Sequence, residues 1–369
     1  MSTEILNKYV ATILLHALGD TIGFKKGEWE FFPDSSYGAT LEKLYEFIDL
    51  GGINNINLEN WYVSDDTILH MAIARSLILP YDNFDELEDN TVRQIIKSTD
   101  IILDEAKSGK NRYIGKAVER HVSMIKRGEK WKDFEYDPYG GGNGSAMRNN
   151  CIGLAFFGEE NRNNLIRYSI NSSKITHTNP IGWLGGLSTA LFTAFIMENK
   201  NINEWIPLMI NIIESDSVRK YLNNKNNEEL QSYDQFIQTW KTYYDNRFNN
   251  SKPVKIKSHT NFTQRLIFYN NIFEGNKMGK LGLSGCSAVI VAYDCLLDAG
   301  SCWEKLVIYS MINNFDSDTI GAIAGGLYGT MYGLEYVPEN NLEHIEYKNK
   351  LIKIGKLLYK KYFLHTKII

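Results

Sequence analysis

Cysteine and proline are scarce in this chain, at 4 and 7 of 369 residues. Cys151, Cys286, Cys295 and Cys302 form no CxxC pair and no zinc-type spacing, which excludes a disulfide scaffold and a cysteine-built zinc site and leaves them as reduced thiols. Proline, at about 2% against a typical ~5%, is low enough to favour a helix-rich protein. The 7 histidines are scattered without an HExxH pair, so a histidine-built metal site is not expected. No run reaches the ~18 uninterrupted apolar residues of a membrane span. The first helical stretch carries Glu4 and Lys8 inside its apolar pattern, unlike a signal peptide. A basic surplus is also missing: 40 Lys and Arg stand against 44 Asp and Glu, a net charge of −4, and the signs are mixed along most of the chain. A broad basic surface for nucleic acid is therefore not expected. Together these absences predict a cytoplasmic protein that binds neither nucleic acid nor membrane; a monomer is expected.

What is present is helical periodicity. Leu6 to Gly19 repeats apolar residues at helical spacing, with Gly19 able to end it. Thr67 to Leu79 repeats the pattern, and Met147 to Phe157, Trp183 to Met197, Ala288 to Leu297, Thr319 to Tyr332 and Leu351 to Tyr362 are further apolar stretches of helical length. Convincing strands with hairpin signals are lacking. The Asn- and Lys-rich stretches Asn223 to Glu229 and Asn249 to Thr263 read as polar connections. Without a Pro/Gly linker or a fixed-period repeat, residues 1–369 read as one all-α domain. Lys348, Lys350, Lys353, Lys356, Lys360 and Lys361 read as a solvated helix face or as a contact for an acidic partner.

Two short acidic motifs stand out, Ser64-Asp65-Asp66-Thr67 and Asp316-Ser317-Asp318-Thr319, each just before a helical pattern. Carboxylates and hydroxyls packed this densely offer hard oxygen ligands, suited to Mg²⁺, Mn²⁺ or Ca²⁺. Each motif alone reads first as an ordinary helix cap, because Ser, Thr and Asp are preferred there, and only the pair brings the metal reading level with it. If the fold joins them, four carboxylates within a few ångströms need divalent counter-charge. The helix after the second motif carries Gly321, Gly325 and Gly329, a stripe that predicts close backbone packing. The run Gly140-Gly141-Gly142-Asn143-Gly144-Ser145 is either a phosphate cradle or a flexible connector. His177, within Ile175 to Pro180, is isolated, and Glu30 stands among the aromatics Trp29, Phe31 and Phe32.

In this order the pieces resemble the ADP-ribosylglycohydrolase family. The matching segments are Gly19-Asp20-Thr21-Ile22-Gly23, Ser64 to Thr67, Gly142 to Arg148, Thr176-His177 with Pro180, and Asp316 to Thr319 followed by Ala322 to Gly325. Trp29-Glu30-Phe31, Val63, Met147-Arg148 with Cys151 to Leu154, and Ala292-Tyr293-Asp294 look most like the ADP-ribosyl-arginine hydrolase branch. The resemblance implies a compact all-α fold with a central two-Mg²⁺ cleft, Mn²⁺ being an acceptable substitute. It implies that Ser64, Asp65, Asp66 and Asp318 hold one ion, and Asp316, Asp318 and Thr319 the other. By the same likeness Gly142, Asn143, Gly144 and Ser145 cradle the diphosphate of ADP-ribose, His177, Ser284 and Gly285 line the sugar and phosphate site, and Glu30 sits on a flap. The activity implied is hydrolysis of ADP-ribose from modified protein side chains, arginine first, with Asp65 and Asp66 catalytic. Serine-linked or free ADP-ribose derivatives, or binding without turnover, are the alternatives that the family offers. The chain departs from the arginine branch at two places: Asn313-Asn314-Phe315 replaces His-Gly-Gly, and Cys286-Ser287 replaces His-Asp.

Overall fold

The computed structural model describes residues 2–30, 37–223, 226–254, 262–273 and 281–364. Helices dominate them. Among the described residues the strands are Phe248–Asn249 and Lys252–Pro253, an antiparallel pair closed by Asn250 and Ser251 at φ 49° and 59°. Two successive positive φ angles are what a tight hairpin turn requires. This hairpin is the one small correction to the all-α reading. It occupies the start of the polar stretch Asn249 to Thr263, of which residues 255–261 lie outside the described residues. The other polar stretch is shorter than expected. Residues 224–225 lie outside the described residues, and Asn227–Arg247 is already a helix, capped by the Asn226 side chain accepting from the Glu228 and Glu229 amides.

Every apolar stretch read as a helix contains one, with shifted ends. The first runs over Ser2–Phe24, straight through Gly19. The physical reason is packing: a Cβ on Gly19 would lie 2.0 Å from the Gly321 carbonyl oxygen. Gly19 is there to let another backbone in, and it ends nothing. Met147 to Phe157 shrinks to Asn150–Ala155 because a tight turn, Asn143–Ser145, precedes it. The Phe84–Lys107 helix was not anticipated. Its fully buried apolar positions, Leu87, Ile95 and Ile102, recur only once in about two turns, and buried Thr91, Ser98 and Thr99 fill the gaps.

The Ser2–Phe24 and Ser317–Tyr332 helices lie against each other along the glycine stripe. Added Cβ atoms on Gly321, Gly325 and Gly329 would sit 2.6, 2.2 and 2.4 Å from the carbonyl oxygens of Gly19, Leu15 and Ala11. Thr12 and Thr330 hydroxyls bond across the seam at 2.8 Å. The Pro180–Met197 helix is long and apolar enough to cross a membrane by composition, yet all of it is buried inside the protein. Buried apolar residues form one contiguous cluster from Tyr9 to Tyr362. All four cysteines are free thiols.

The glycine seam makes a direct prediction. Gly325→Ala places a methyl inside van der Waals contact of the Leu15 carbonyl and should destabilise the fold by at least about 2 kcal/mol. Urea unfolding checks this; an unchanged midpoint would mean that the two backbones do not touch.

Candidate active site

The two acidic motifs start helices that point at each other. Ser64 is the N-cap of the Asp65–Ile78 helix, its hydroxyl accepting from the Asp66 amide at 3.1 Å. Asp316 precedes the Ser317–Tyr332 helix. Asp65, Asp66, Asp316, Asp318, Thr319 and Glu30 line one cleft of about 260 Å³. Capping by a side chain is seen at the first motif only, since Asp316 makes no side-chain cap hydrogen bond; clustering is true of both, because the fold brings the two helix starts to one cleft.

Asp20, which the motif reading passed over as a site residue, organises the first cluster. Projecting from the Ser2–Phe24 helix, it accepts from the Ser64 amide at 2.9 Å and the Thr67 amide at 3.1 Å, and from the Thr67 hydroxyl. One carboxylate therefore satisfies two of the amides that every helix start leaves without a partner. Its only sequence signal is its place between Gly19 and Gly23, both in backbone contact with the Ser317–Tyr332 helix. The chain before the cluster is fixed from behind. The Val63 amide donates to Glu346 at 3.0 Å, the Arg112 guanidinium donates to the Val63 carbonyl and binds Glu346 through two nitrogens at 2.9 and 2.8 Å, and the Asp65 amide donates to the Arg112 carbonyl at 3.0 Å.

The glycine loop joins the second cluster. The Asn143 side chain donates to the Gly282 carbonyl at 2.8 Å and to Asp316 at 2.7 Å, while the Asp316 amide donates to the Leu281 carbonyl at 3.2 Å. The Asn143 amide is committed to the Leu283 carbonyl at 3.1 Å. Gly144 is small because the His177 ring packs on it: a Cβ there would lie 2.8 Å from that ring. Arg148 donates to the Thr176 hydroxyl oxygen at 2.8 Å, and the same hydroxyl lies 2.8 Å from His177 Nδ1. Burial, with Arg148 nearby, lowers the His177 pKa and holds the ring neutral.

Three expected site residues face elsewhere. Ser145 is fully buried and its hydroxyl donates to the Gly182 carbonyl at 2.6 Å. Ser284 caps the Gly285–Ala299 helix, accepting from the Ser287 amide at 3.0 Å. The Gly285 amide bonds the Gly141 carbonyl at 3.1 Å, and its neighbour Leu283 lines the cleft instead. These three build the walls and do not face the opening. Ser64 likewise spends its hydroxyl on the helix cap.

Burial raises the pKa of Asp65, Asp66, Asp318 and Glu30, and the neighbouring carboxylates raise it further. Asp20 is pushed up to about 7 by burial and by Asp318. Lys43 is the buried cation on this side; burial pushes its ammonium down to about 7, against the pull of Asp318 and Glu46. Buried oxygens of Asp66, Asp318 and Glu30 have no hydrogen-bond partner. Unsatisfied carboxylate oxygens sharing a low-dielectric cleft are what a divalent cation would satisfy, so the donor set fits hard cations. Among the described residues no group of three His, Cys, Asp or Glu side chains is closed around one point.

The likeness to known proteins can now be set beside this geometry. A family model described as ADP-ribosylglycohydrolase matches residues 1–367. The chain belongs to the ADP-ribosylglycohydrolase family. A Dictyostelium discoideum protein named ADP-ribosylhydrolase ARH1 is 31% identical over 369 residues, covering 93% of this chain and 91% of its own. A mouse protein named ADP-ribosylhydrolase ARH3 is 24% identical over 344 residues, covering 88% and 83%. A solved structure titled an ADP-ribosylglycohydrolase-related protein complex superposes with a TM-score of 0.62 at 16% identity, over 98% of this chain and 100% of that one, which shows the shared fold. As a member of this family the chain is a hydrolase of ADP-ribose linkages.

Two of the departing residues, Asn313 and Ser287, are built into local hydrogen bonds. The Asn313 side chain donates to the Ser310 carbonyl at 2.8 Å and accepts from the Phe315 amide at 2.9 Å. Neither Asn314 nor Phe315 takes a positive φ, so the missing glycines demand nothing of the backbone. Ser287 accepts from the Gly282 amide at 3.1 Å, and Cys286 is buried away from the cleft. Asp20→Asn should cost about 1–3 kcal/mol, because an amide NH₂ would face amide donors. Denaturant titration of the metal-free chain measures it; full stability in that variant would remove Asp20 from its capping role.

Proposed function

We propose that this protein is a divalent-metal-dependent hydrolase that releases ADP-ribose from modified arginine side chains, with Asp65 and Asp66 catalytic and Mg²⁺ as its ion. The observation that carries the reading is the convergence of both acidic motifs, with unpartnered carboxylate oxygens, on one cleft beside the glycine loop and His177. Asp65, Asp66, Asp316, Asp318 and Thr319 are the residues that would hold two ions, with Ser64 fixing the start of the first motif. Bound there, such ions supply counter-charge that lets the carboxylates ionise and Lewis acidity at the sugar hydroxyls.

The chain's own residues then divide the work. Gly142 lets the diphosphate approach the backbone, beside the neutral His177 ring. Asp66, whose Oδ2 has no partner, takes a proton from the attacking water. The water oxygen bonds to C1″ as the C1″–N bond breaks with oxocarbenium character, and the acid so formed returns its proton to the departing guanidine nitrogen. Glu30 places a further unpartnered oxygen in the cleft, which suits a cationic guanidinium better than a neutral serine hydroxyl. The arginine-branch look of Trp29-Glu30-Phe31 and Met147-Arg148 supports the same substrate.

Asp66→Asn and Asp318→Asn should each reduce ADP-ribose release by a factor of about 10³ or more. Assays on arginine- and serine-modified proteins, with Mg²⁺ and with chelator, decide the linkage. Release only from serine would replace the substrate, and binding of ADP-ribose without release would make the chain a silent relative. A second expectation follows from the raised carboxylates. The folded chain retains protons there that the unfolded chain loses above about pH 4, so metal-free stability falls as pH rises from about 4 through about 7, the pKa of Asp20. Mg²⁺ should therefore raise the melting temperature more at about pH 8 than at about pH 5. Equal shifts at both would count against an ion among these carboxylates.

A further inference from the structure

Lys43 is 1% exposed, sits on the Tyr37–Asp49 helix, and belongs to neither acidic motif. Its Nζ donates to two main-chain carbonyls, Trp29 at 2.6 Å and Asn313. The first carbonyl immediately precedes Glu30; the second lies three residues before Asp316. The Ser317 hydroxyl, between the two aspartates of the second motif, donates to the Gly23 carbonyl at 2.8 Å and reaches the Trp29 carbonyl only at 3.3 Å. From the same helix as Lys43, Glu46 accepts the Trp29 indole proton at 2.8 Å. The Trp29 ring is wedged edge-on against Trp61, centroids 5.9 Å apart. Ordering and desolvating a lysine is costly, and here the ammonium is spent on two carbonyls from distant parts of the chain.

We infer that Lys43 is a positioning residue: it ties the backbone before Glu30 to the loop of the second acidic motif, and so sets where the Glu30 carboxylate stands in the cleft. The kinetic consequence rests on the proposed hydrolase reading, whereas the structural one does not. Without the ammonium, two buried carbonyls lose a donor, and the Trp29 carbonyl keeps the longer bond from Ser317. Glu30 then samples positions away from the other carboxylates, and an error of about 1 Å in a group that orients the substrate is expensive.

A double-mutant cycle with amide hydrogen exchange tests this. Lys43→Met keeps the apolar stem and removes the donors. It should lower kcat on ADP-ribosylated arginine by about 10-fold or more with a smaller change in KM. Added to Glu30→Gln, the same change should lower kcat by less than about 2-fold, because the group it positions is already gone. In the metal-free protein, exchange at Trp29 and Glu30 should quicken by about 10-fold in Lys43→Met. Additive losses in the cycle, or unchanged exchange at these two amides, overturn the inference. An inactive wild type together with faster exchange in Lys43→Met would sink the hydrolase reading and leave the tether standing. If Lys43→Met does not fold, Lys43→Gln, which keeps a donor for one carbonyl, carries the same cycle and the same exchange measurement.

Discussion

Two helix backbones in contact govern this structure. The Ser2–Phe24 and Ser317–Tyr332 helices come together through glycines on both sides, so closely that no Cβ fits at Gly19, Gly321, Gly325 or Gly329. A contact made of backbone has little freedom to slide or rotate, since each carbonyl fits the place of one missing side chain. Asp20 and the second acidic motif are thereby held at one end of the seam. Asp20 then reaches the start of the Asp65–Ile78 helix and fixes the first motif against the second.

The electrostatics follow from that geometry. Helix starts carry a partial positive charge, enough to favour a carboxylate each but too little for several in a shared low-dielectric cleft. Among the described residues the buried cations near the cleft act on backbone: Arg112 donates to the Val63 carbonyl, Arg148 to the Ser172 carbonyl, and Lys43 to the Trp29 and Asn313 carbonyls. The carboxylates are left raised and partly unpartnered, a state suited to a bound cation.

Behind the cleft, a second charged network braces the walls. Asp294 accepts from Tyr243, Arg247, Arg265 and Tyr269, all at 2.6 or 2.7 Å. Burial would raise its pKa, but Arg265 and Arg247 hold it below the usual carboxylate range. The network joins the Asn227–Arg247, Phe262–Phe273 and Gly285–Ala299 helices. Tyr269 continues it to Phe315, packed edge-on at 6.0 Å just before Asp316. Phe315, which departs from the arginine-branch pattern, has thus become part of the packing that supports the loop of the second acidic motif.

The residues by themselves determined the helical class, the places of the long apolar helices, the close-packed glycine stripe and the two acidic motifs. These are local properties: periodicity, composition and cap chemistry are written in neighbouring positions. Only the tertiary structure decided that the motifs share a cleft, that Ser145, Ser284 and Gly285 build its wall, and that Asp20, Glu346 and Lys43 hold it in place. A lone aspartate, glutamate or lysine carries no local signature of its partner. Asp20 sits 44 residues from Ser64, and Glu346 sits 283 from Val63. Such bonds exist only once the chain has folded, because buried polar groups must find partners wherever packing brings them.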